Sequence, residues 1–120
     1  MVLLAALAAS TALASSPANE LRITVWPDGR AKASHRWTLR CGPSGGTLPG
    51  ARLACASLAR RANPFRPIAS DAVCTELYGG PQEALVTGRY RGRRIWTRFA
   101  RTDGCQIERW NRLRFLFPSG

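Results

Sequence analysis

The chain has 120 residues and a formal net charge of +11, from 18 basic and 7 acidic side chains. This length predicts one small domain and excludes a multidomain architecture. The positive charge is compatible with an anionic partner such as nucleic acid, a membrane surface or an acidic protein. Because the basic residues are spread along the chain, we interpret most of them as solvent-exposed surface residues that keep the protein in solution.

Residues 1–14 are predicted to be a secretory signal peptide. Their apolar run is shorter than the roughly 20 residues that span a bilayer, and it ends in the small-residue cleavage pattern ALA at 12–14. No Lys or Arg precedes the run, so we expect the leader to be truncated. A buried N-terminal helix is the alternative, which the following Ser/Pro-rich break disfavours. We therefore expect a secreted, extracellular protein with a flexible tail at 15–20, one domain at 21–120 and no membrane contact after leader removal.

The first two predicted strands form a hairpin. LRITVW at 21–26 alternates apolar and polar residues, and Pro27-Asp28-Gly29 is a turn signal before a second alternating stretch at 31–41. The one histidine, His35, falls on the inward face of this second stretch. We interpret it as a core or edge residue rather than as a general base.

A glycine-rich loop at 42–50 precedes a predicted helix. No Gly-Lys-Ser/Thr follows, so the loop is not a phosphate-binding loop. Thr47 is the expected N-cap, and the apolar residues from Ala51 to Leu58 share one helical face. The helix is expected to end before Pro64. Phe65 and Ile68 are then expected to cover the sheet.

The second half of the chain predicts a hairpin, a short helix and a last strand. Residues 84–90 and 95–100 alternate on either side of a tight turn at 91–92. One or two helical turns are predicted over 107–111, and LRFLF at 113–117 predicts a fifth strand. Because the strands are joined by hairpins, the sheet should be antiparallel, and the fold class is α+β.

The cysteines are predicted to form two disulfides, because their number is even and the leader predicts secretion. Three pairings are possible. A zinc site is the alternative, but no two cysteines have the spacing of zinc ligands. We therefore expect no metal and no cofactor. The four residues are Cys41, Cys55, Cys74 and Cys105.

No constellation of residues predicts catalysis. The seven acids form no tight local pair, and a single histidine is present, so we predict that the chain is not an enzyme. Nucleic-acid binding is a second possibility, because Tyr90 and Trp96 lie among the arginines of 89–101. We prefer a solvated hairpin whose aromatic side chains belong to the core, and predict no nucleic-acid partner.

The segment AVCTELYGG at 72–80 is the candidate binding site. Cys74 fixes its start, and the Gly-Gly-Pro sequence at 79–81 fixes its exit. A short exposed loop that is held at both ends gives up little entropy on binding. An extended segment can also add to an enzyme as a strand, as a protease-inhibitor loop does. A structural disulfide beside a plain surface turn is the alternative, and the residues alone do not decide.

Three stretches resemble the Streptomyces subtilisin inhibitor family. They are CGPSGGTLPGARLACASL at 41–58, VCTELYGGPQEALVTGRYRGR at 73–93 and FARTDGCQIERW at 99–110. The resemblance covers nearly all of the chain after the leader. It implies a five-stranded antiparallel sheet with two helices, usually in a homodimer. It also implies the sequential disulfides Cys41–Cys55 and Cys74–Cys105.

The resemblance also implies a function, the inhibition of secreted serine proteases. It places a reactive bond between Glu76 and Leu77, with Glu76 entering the specificity pocket of the enzyme. Members commonly carry Met or Lys there, so a carboxylate predicts weak inhibition of trypsin-like enzymes. It favours glutamate-preferring serine proteases, or subtilisins whose pocket leaves the carboxylate in water. The alternative is a non-inhibitory secreted binding module on the same scaffold, with its basic surface facing an anionic partner. The other protease-contacting residues that the resemblance implies are Val73, Cys74, Thr75 and Tyr78.

Overall fold

The computed structural model describes residues 18–120, in which a four-stranded antiparallel sheet carries two helices on one face. The α+β class and the two helices are therefore confirmed, whereas the predicted signal peptide lies outside the described residues. Among residues 18–120, no helix has the length and hydropathy needed to cross a membrane. The elements are β1 (Glu20–Trp26), β2 (His35–Arg40), α1 (Ala51–Ala59), β3 (Glu83–Tyr90), β4 (Arg93–Ala100), α2 (Gly104–Arg112) and a 3-10 turn (Arg114–Leu116).

The fifth strand predicted at 113–117 is wrong. The chain passes directly from α2 into the 3-10 turn, and Leu113, Leu116 and Phe117 are buried. This spacing of i, i+3 and i+4 belongs to one face of a helix, whereas a strand would bury alternate residues. The apolar residues of LRFLF fit both the two-residue period of a strand and the 3.6-residue period of a helix. Because the segment follows α2 directly, it continues as a helical turn that packs on the core.

The strand order is β2-β1-β3-β4, so that β1 and β3 are central and the other two strands form the edges. In β1, Leu21, Ile23 and Val25 are buried, as the alternation predicts. Both helices pack on this side of the sheet. Phe117 lies between Phe99 of β4 and Trp110 of α2, with ring centroids 4.9 and 4.6 Å away, and these aromatic contacts attach α2 to the sheet.

Of the two side chains before α1 to which the sequence gave a role, Thr47 departs from its prediction and His35 does not. The N-cap of α1 is Gly50 rather than Thr47. Thr47 is instead tied to β2, because Thr38 N donates to its Oγ1 at 2.9 Å and Thr47 N donates to Thr38 Oγ1 at 3.2 Å. His35 lies opposite the buried Val25 and therefore on the inner face, as predicted. It is nevertheless exposed, because it begins the edge strand β2, and it stacks on Trp37 with ring centroids 5.7 Å apart.

The predicted turn between β3 and β4 is confirmed. Arg91 and Gly92 have φ values of 50° and 75°, which a two-residue hairpin turn requires and which glycine adopts without strain. Residues that the sequence assigns to the N-terminal tail contact this turn. Gly92 N donates to Ala18 O at 3.0 Å, and Arg91 N donates to Asn19 Oδ1 at 2.7 Å. The ordered domain therefore includes residues 18–20.

A buried arginine also joins α2 to the sheet. Arg109 is only 5 % exposed, and its guanidinium lies 4.1 Å from the centroid of the Phe99 ring. The guanidinium donates to Arg98 O at 2.7 Å, to Thr97 Oγ1 at 2.7 Å and to Arg66 O at 3.0 Å. Its planar fork of donors therefore bridges three segments of the chain through carbonyl and hydroxyl oxygens.

The electrostatic environment of Arg109 is unfavourable apart from these bonds. Burial lowers the pKa of Arg109, and the charge of the neighbouring Arg112 lowers it further. The guanidinium nevertheless stays protonated, because an arginine side chain does not lose its proton in a protein. Its hydrogen bonds must therefore offset the loss of hydration.

We expect Arg109→Lys to lower the free energy of unfolding by about 2–3 kcal/mol, because lysine keeps the charge but leaves buried acceptors unpaired. Denaturant titration of the oxidised protein measures this change. Arg112→Lys on the same helix, where the side chain is exposed, is the control and should change stability by less than about 0.5 kcal/mol. Equal losses in both variants would contradict a bridging role for Arg109.

Candidate functional site

The segment 72–80 has no regular secondary structure and is exposed along its middle. Val73 is 98 % exposed, Leu77 64 % and Tyr78 65 %, and Thr75 and Glu76 are exposed as well. Three of the five exposed large apolar side chains of residues 18–120 therefore fall within nine residues. Such clustering marks a contact surface, since scattered apolar side chains are normal but grouped ones are not.

The entrance to the segment is held by the start of α2. The disulfide Cys74–Cys105 joins the two, as predicted, and Gly104 N donates to Thr75 O at 2.9 Å. The other predicted disulfide, Cys41–Cys55, is also formed and links the end of β2 to α1, in a different part of the molecule.

The start of α2 is itself fixed by a cap. Asp103 is the N-cap residue, and its carboxylate accepts a hydrogen bond from Gln106 N at 2.9 Å. A cap of this kind stabilises a helix by about 1 kcal/mol. The disulfide and the Gly104 amide therefore attach the segment to an ordered helix end rather than to a mobile loop.

The exit of the segment is held by the residue that follows β4. Gly79 N donates to Arg101 O at 2.7 Å. The Arg101 side chain is directed back to the same place, with Nε 3.4 Å from Gly79 O and Nη1 3.0 Å from Asn111 Oδ1. Glycine is needed at position 79 because a Cβ there would come within 2.8 Å of the Ile107 side chain.

The two anchors therefore lie at one place, the junction of β4 and α2, and leave only the residues between Thr75 and Gly79 free. The Glu76–Leu77 peptide lies between them. A segment with both ends fixed in this way has already lost most of the conformational freedom that binding would remove.

One group of side chains near the segment has the composition of a metal site. The ligand atoms of Cys74, Asp103 and Cys105 lie within 4.8 Å of one another. Both sulfurs are consumed by the disulfide, and the carboxylate caps α2. The group therefore offers a metal ion at most one carboxylate, and zinc needs at least three protein ligands.

Sequence reasoning selected the exposed residues of the site but missed the residues that support them. The Asp103 cap carries a local signal, because Asp followed three residues later by Gln resembles a capping box. Arg101 and Ile107 carry no such signal, since their contacts with Gly79 join distant parts of the chain.

The fold and the site define a small, disulfide-stabilised scaffold that presents one tethered loop. Residues 17–102 match the family model described as Subtilisin inhibitor-like. Because this match spans well over half of the chain, the protein belongs to the subtilisin inhibitor-like family. Members of this family are secreted protease inhibitors and not enzymes, so protease inhibition is the general function that membership supports. A search of curated proteins finds no significant match to the chain.

We expect Gly79→Ala to release the exit of the loop, because the added methyl group collides with Ile107. Hydrogen exchange of the residue 79 amide should become about tenfold faster, as for the loss of one hydrogen bond. The double variant Gly79→Ala/Ile107→Ala restores space and should recover most of the protection. If it exchanges as fast as the single variant, the contact with Ile107 does not position the loop.

Proposed function

We propose that this protein inhibits subtilisin-like serine proteases by presenting Glu76–Leu77 as a substrate-like reactive bond. The observation that carries the proposal is a loop that is exposed in its middle and held at both ends by one junction. Family membership supports protease inhibition in general, and the resemblance described above supplies the position of the bond.

Docking uses the main chain of the segment as well as its side chains. The segment is free of internal secondary structure, so its backbone can add to a protease cleft as an extended strand. Glu76 would enter the primary specificity pocket. Val73, Cys74 and Thr75 would lie on the acyl side of the bond, and Leu77 and Tyr78 on the leaving side.

The same anchors explain how an inhibitor of this kind resists turnover. When the catalytic serine attacks the Glu76 carbonyl, the peptide bond breaks, the acyl group passes to the serine and the new amine remains on Leu77. That amine is two residues from Gly79, which is bonded to Arg101, and the acyl side is two residues from the Cys74–Cys105 disulfide. Both ends stay at the β4–α2 junction, so the amine re-attacks at a high effective concentration instead of diffusing away.

The carboxylate at position 76 determines which enzymes can be inhibited. Placing it in an apolar pocket removes its hydration, which costs several kcal/mol unless a partner is present. A trypsin-like pocket carries an aspartate that repels it. Enzymes that bind glutamate, or subtilisins whose pocket leaves the carboxylate in water, avoid both penalties.

Inhibition constants should therefore be lowest for glutamate-preferring or subtilisin-like enzymes and highest for trypsin-like ones. A panel of the three classes measures this order, and mass spectrometry of the mixtures shows whether the chain stays largely intact in a stable complex. A trypsin-like enzyme as the best target would contradict the role of Glu76. Rapid digestion, or no complex with any of the three classes, would favour the alternative of a non-inhibitory binding module.

Glu76→Lys should shift inhibition toward trypsin-like enzymes by about a hundredfold, because an attractive charge pair replaces a repulsive one. Glu108→Lys makes the same change of charge at an exposed position on α2, outside the loop, and should leave the order of the panel unchanged. If Glu76→Lys behaves like this control, the reactive bond lies elsewhere.

Two further expectations remain predictions. The leader at 1–14 lies outside the described residues, although the secretion of family members is consistent with it. The homodimer that the resemblance implies awaits a measurement of mass in solution.

A further inference from the structure

The two halves of the proposed reactive loop are held in different ways. On the acyl side, Cys74 is bonded covalently to Cys105 of α2, and Gly104 N donates to Thr75 O at 2.9 Å. On the leaving side, Gly79 is held by hydrogen bonds and by packing against the helix. The leaving side is therefore the half that can detach once the reactive bond is cut.

A cut at the reactive bond turns the leaving side into a free chain end. Gly79 is the first residue after the cut whose amide makes a backbone hydrogen bond among the described residues, and the sheet begins only at Glu83. With Gly79 held, two residues of the new end can move. With Gly79 released, the mobile end extends toward β3, and the effective concentration of its amine falls as the tether lengthens.

Arg101 pairs with both backbone groups of Gly79. Gly79 N donates to Arg101 O at 2.7 Å, and Arg101 Nε lies 3.4 Å from Gly79 O. The first bond uses a backbone carbonyl that any residue at position 101 would supply. The second needs a long donor side chain that turns back from the end of β4, so it depends on the arginine itself.

The α2 helix fixes the orientation of the Arg101 guanidinium. Nη1 donates to Asn111 Oδ1 at 3.0 Å, and the guanidinium lies 5.9 Å from the centroid of the buried Trp110 ring, which is within the range of a cation–π contact. Asn111 Oδ1 also accepts from Arg114 Nη2 at 3.1 Å. Because the planar fork is already ordered by these contacts, it loses little further freedom when it bonds Gly79.

We propose that Arg101 is a positioning residue whose side chain determines whether the cut reactive bond is resealed or lost. The inference rests on the proposed function and extends it, because it concerns the fate of the acyl-enzyme rather than the docking of the loop. It assigns the control of turnover to one side chain outside the loop, held in place by α2.

Two reactions compete for the ester between Glu76 and the serine of the protease. In resealing, the Leu77 amine attacks the ester carbonyl, the C–N bond forms again, and the serine oxygen leaves with the proton of the amine. In hydrolysis, water attacks the same carbonyl and leaves a carboxylic acid at Glu76. A hold on Gly79 keeps the amine close to the ester and so favours resealing.

Incubation of the oxidised protein with catalytic amounts of a subtilisin-like or glutamate-preferring protease tests this role. Mass spectrometry then measures the equilibrium ratio of chain cut between residues 76 and 77 to intact chain. Arg101→Ala should raise this ratio about tenfold, as for the loss of one hydrogen bond to a charged group. Asn111→Ala keeps Arg101 but removes the acceptor that orients it, and should raise the ratio about threefold.

Arg114→Ala is the matched control, because Arg114 donates to the same Asn111 oxygen rather than to the loop. It should change the ratio by less than about 1.5-fold, as for a surface substitution. Asn111 is exposed, so its variant tests the proposal even if Arg101→Ala does not fold. Denaturant titration of each variant reports its stability separately.

The inhibition constant measured before cutting is a second readout. Because the intact loop is closed covalently on both sides, Arg101→Ala should raise this constant by less than about threefold. The variant should therefore bind almost as well as the original protein and be consumed faster. A role in general stability would not separate the two quantities in this way.

Three results would overturn the proposal. Equal ratios for Arg101→Ala and Arg114→Ala would mean that the backbone carbonyl alone holds Gly79, and would leave protease inhibition standing. An equal rise in the inhibition constant and in the ratio would mean that Arg101 orders the loop before docking rather than after the cut. An unsubstituted chain that no protease of the panel binds or cuts between residues 76 and 77 would overturn the proposed function together with this inference.

Discussion

The attachment of the 72–80 loop to the junction of β4 and α2 is the constraint on which the site depends. Within five residues, the chain offers a carbonyl at Arg101, a helix cap at Asp103, an amide at Gly104 and a sulfur at Cys105. The groups of Arg101, Gly104 and Cys105 bond to the loop directly. Asp103 caps α2, the helix to which two of these residues belong. A reactive bond is useful to an inhibitor only if its two new ends cannot separate, and this junction supplies that condition through covalent and hydrogen bonds together.

Arginine has two opposite uses in this domain. Arg109 is buried and donates to oxygens of two segments, the loop between α1 and β3 at Arg66 and the strand β4, so it acts as a cross-link inside the protein. The sheet face that turns away from the helices, its outer face, carries arginines that are mostly exposed, among them Arg22, Arg36, Arg94 and Arg98. The difference follows from position, because a side chain on the inner face of α2 meets carbonyl oxygens that need donors, whereas side chains on the far side of the sheet are in contact with water. Both groups of arginines contribute to the net charge in the same way, so composition alone does not distinguish them.

Local patterns predicted much of the fold. Alternation in 21–26 and the turn at 91–92 are properties of adjacent residues, and both are found in the structure. The stretch at 113–117 was wrongly predicted as a strand because its apolar residues satisfy two periods at once, and only the preceding helix decides between them. The exposed residues of the candidate site, from Val73 to Tyr78, could also be selected from the sequence, since a cysteine and a Gly-Gly-Pro exit bound them. Their supports could not, because Gly79 meets Arg101 and Ile107 only after the chain has folded.

The sequence by itself determined the α+β class, the number of disulfides and the position of the loop that resembles a reactive site. These follow from periodicity, from an even set of cysteines and from motifs of contiguous residues. The tertiary structure decided which side chains are shared between distant segments. It buried Arg109 and Tyr90, and it left Trp96 exposed beside the arginines of the outer face. Alternation can assign a residue to one side of a strand, but the packing of the helices determines which side becomes the core and which remains available to a partner.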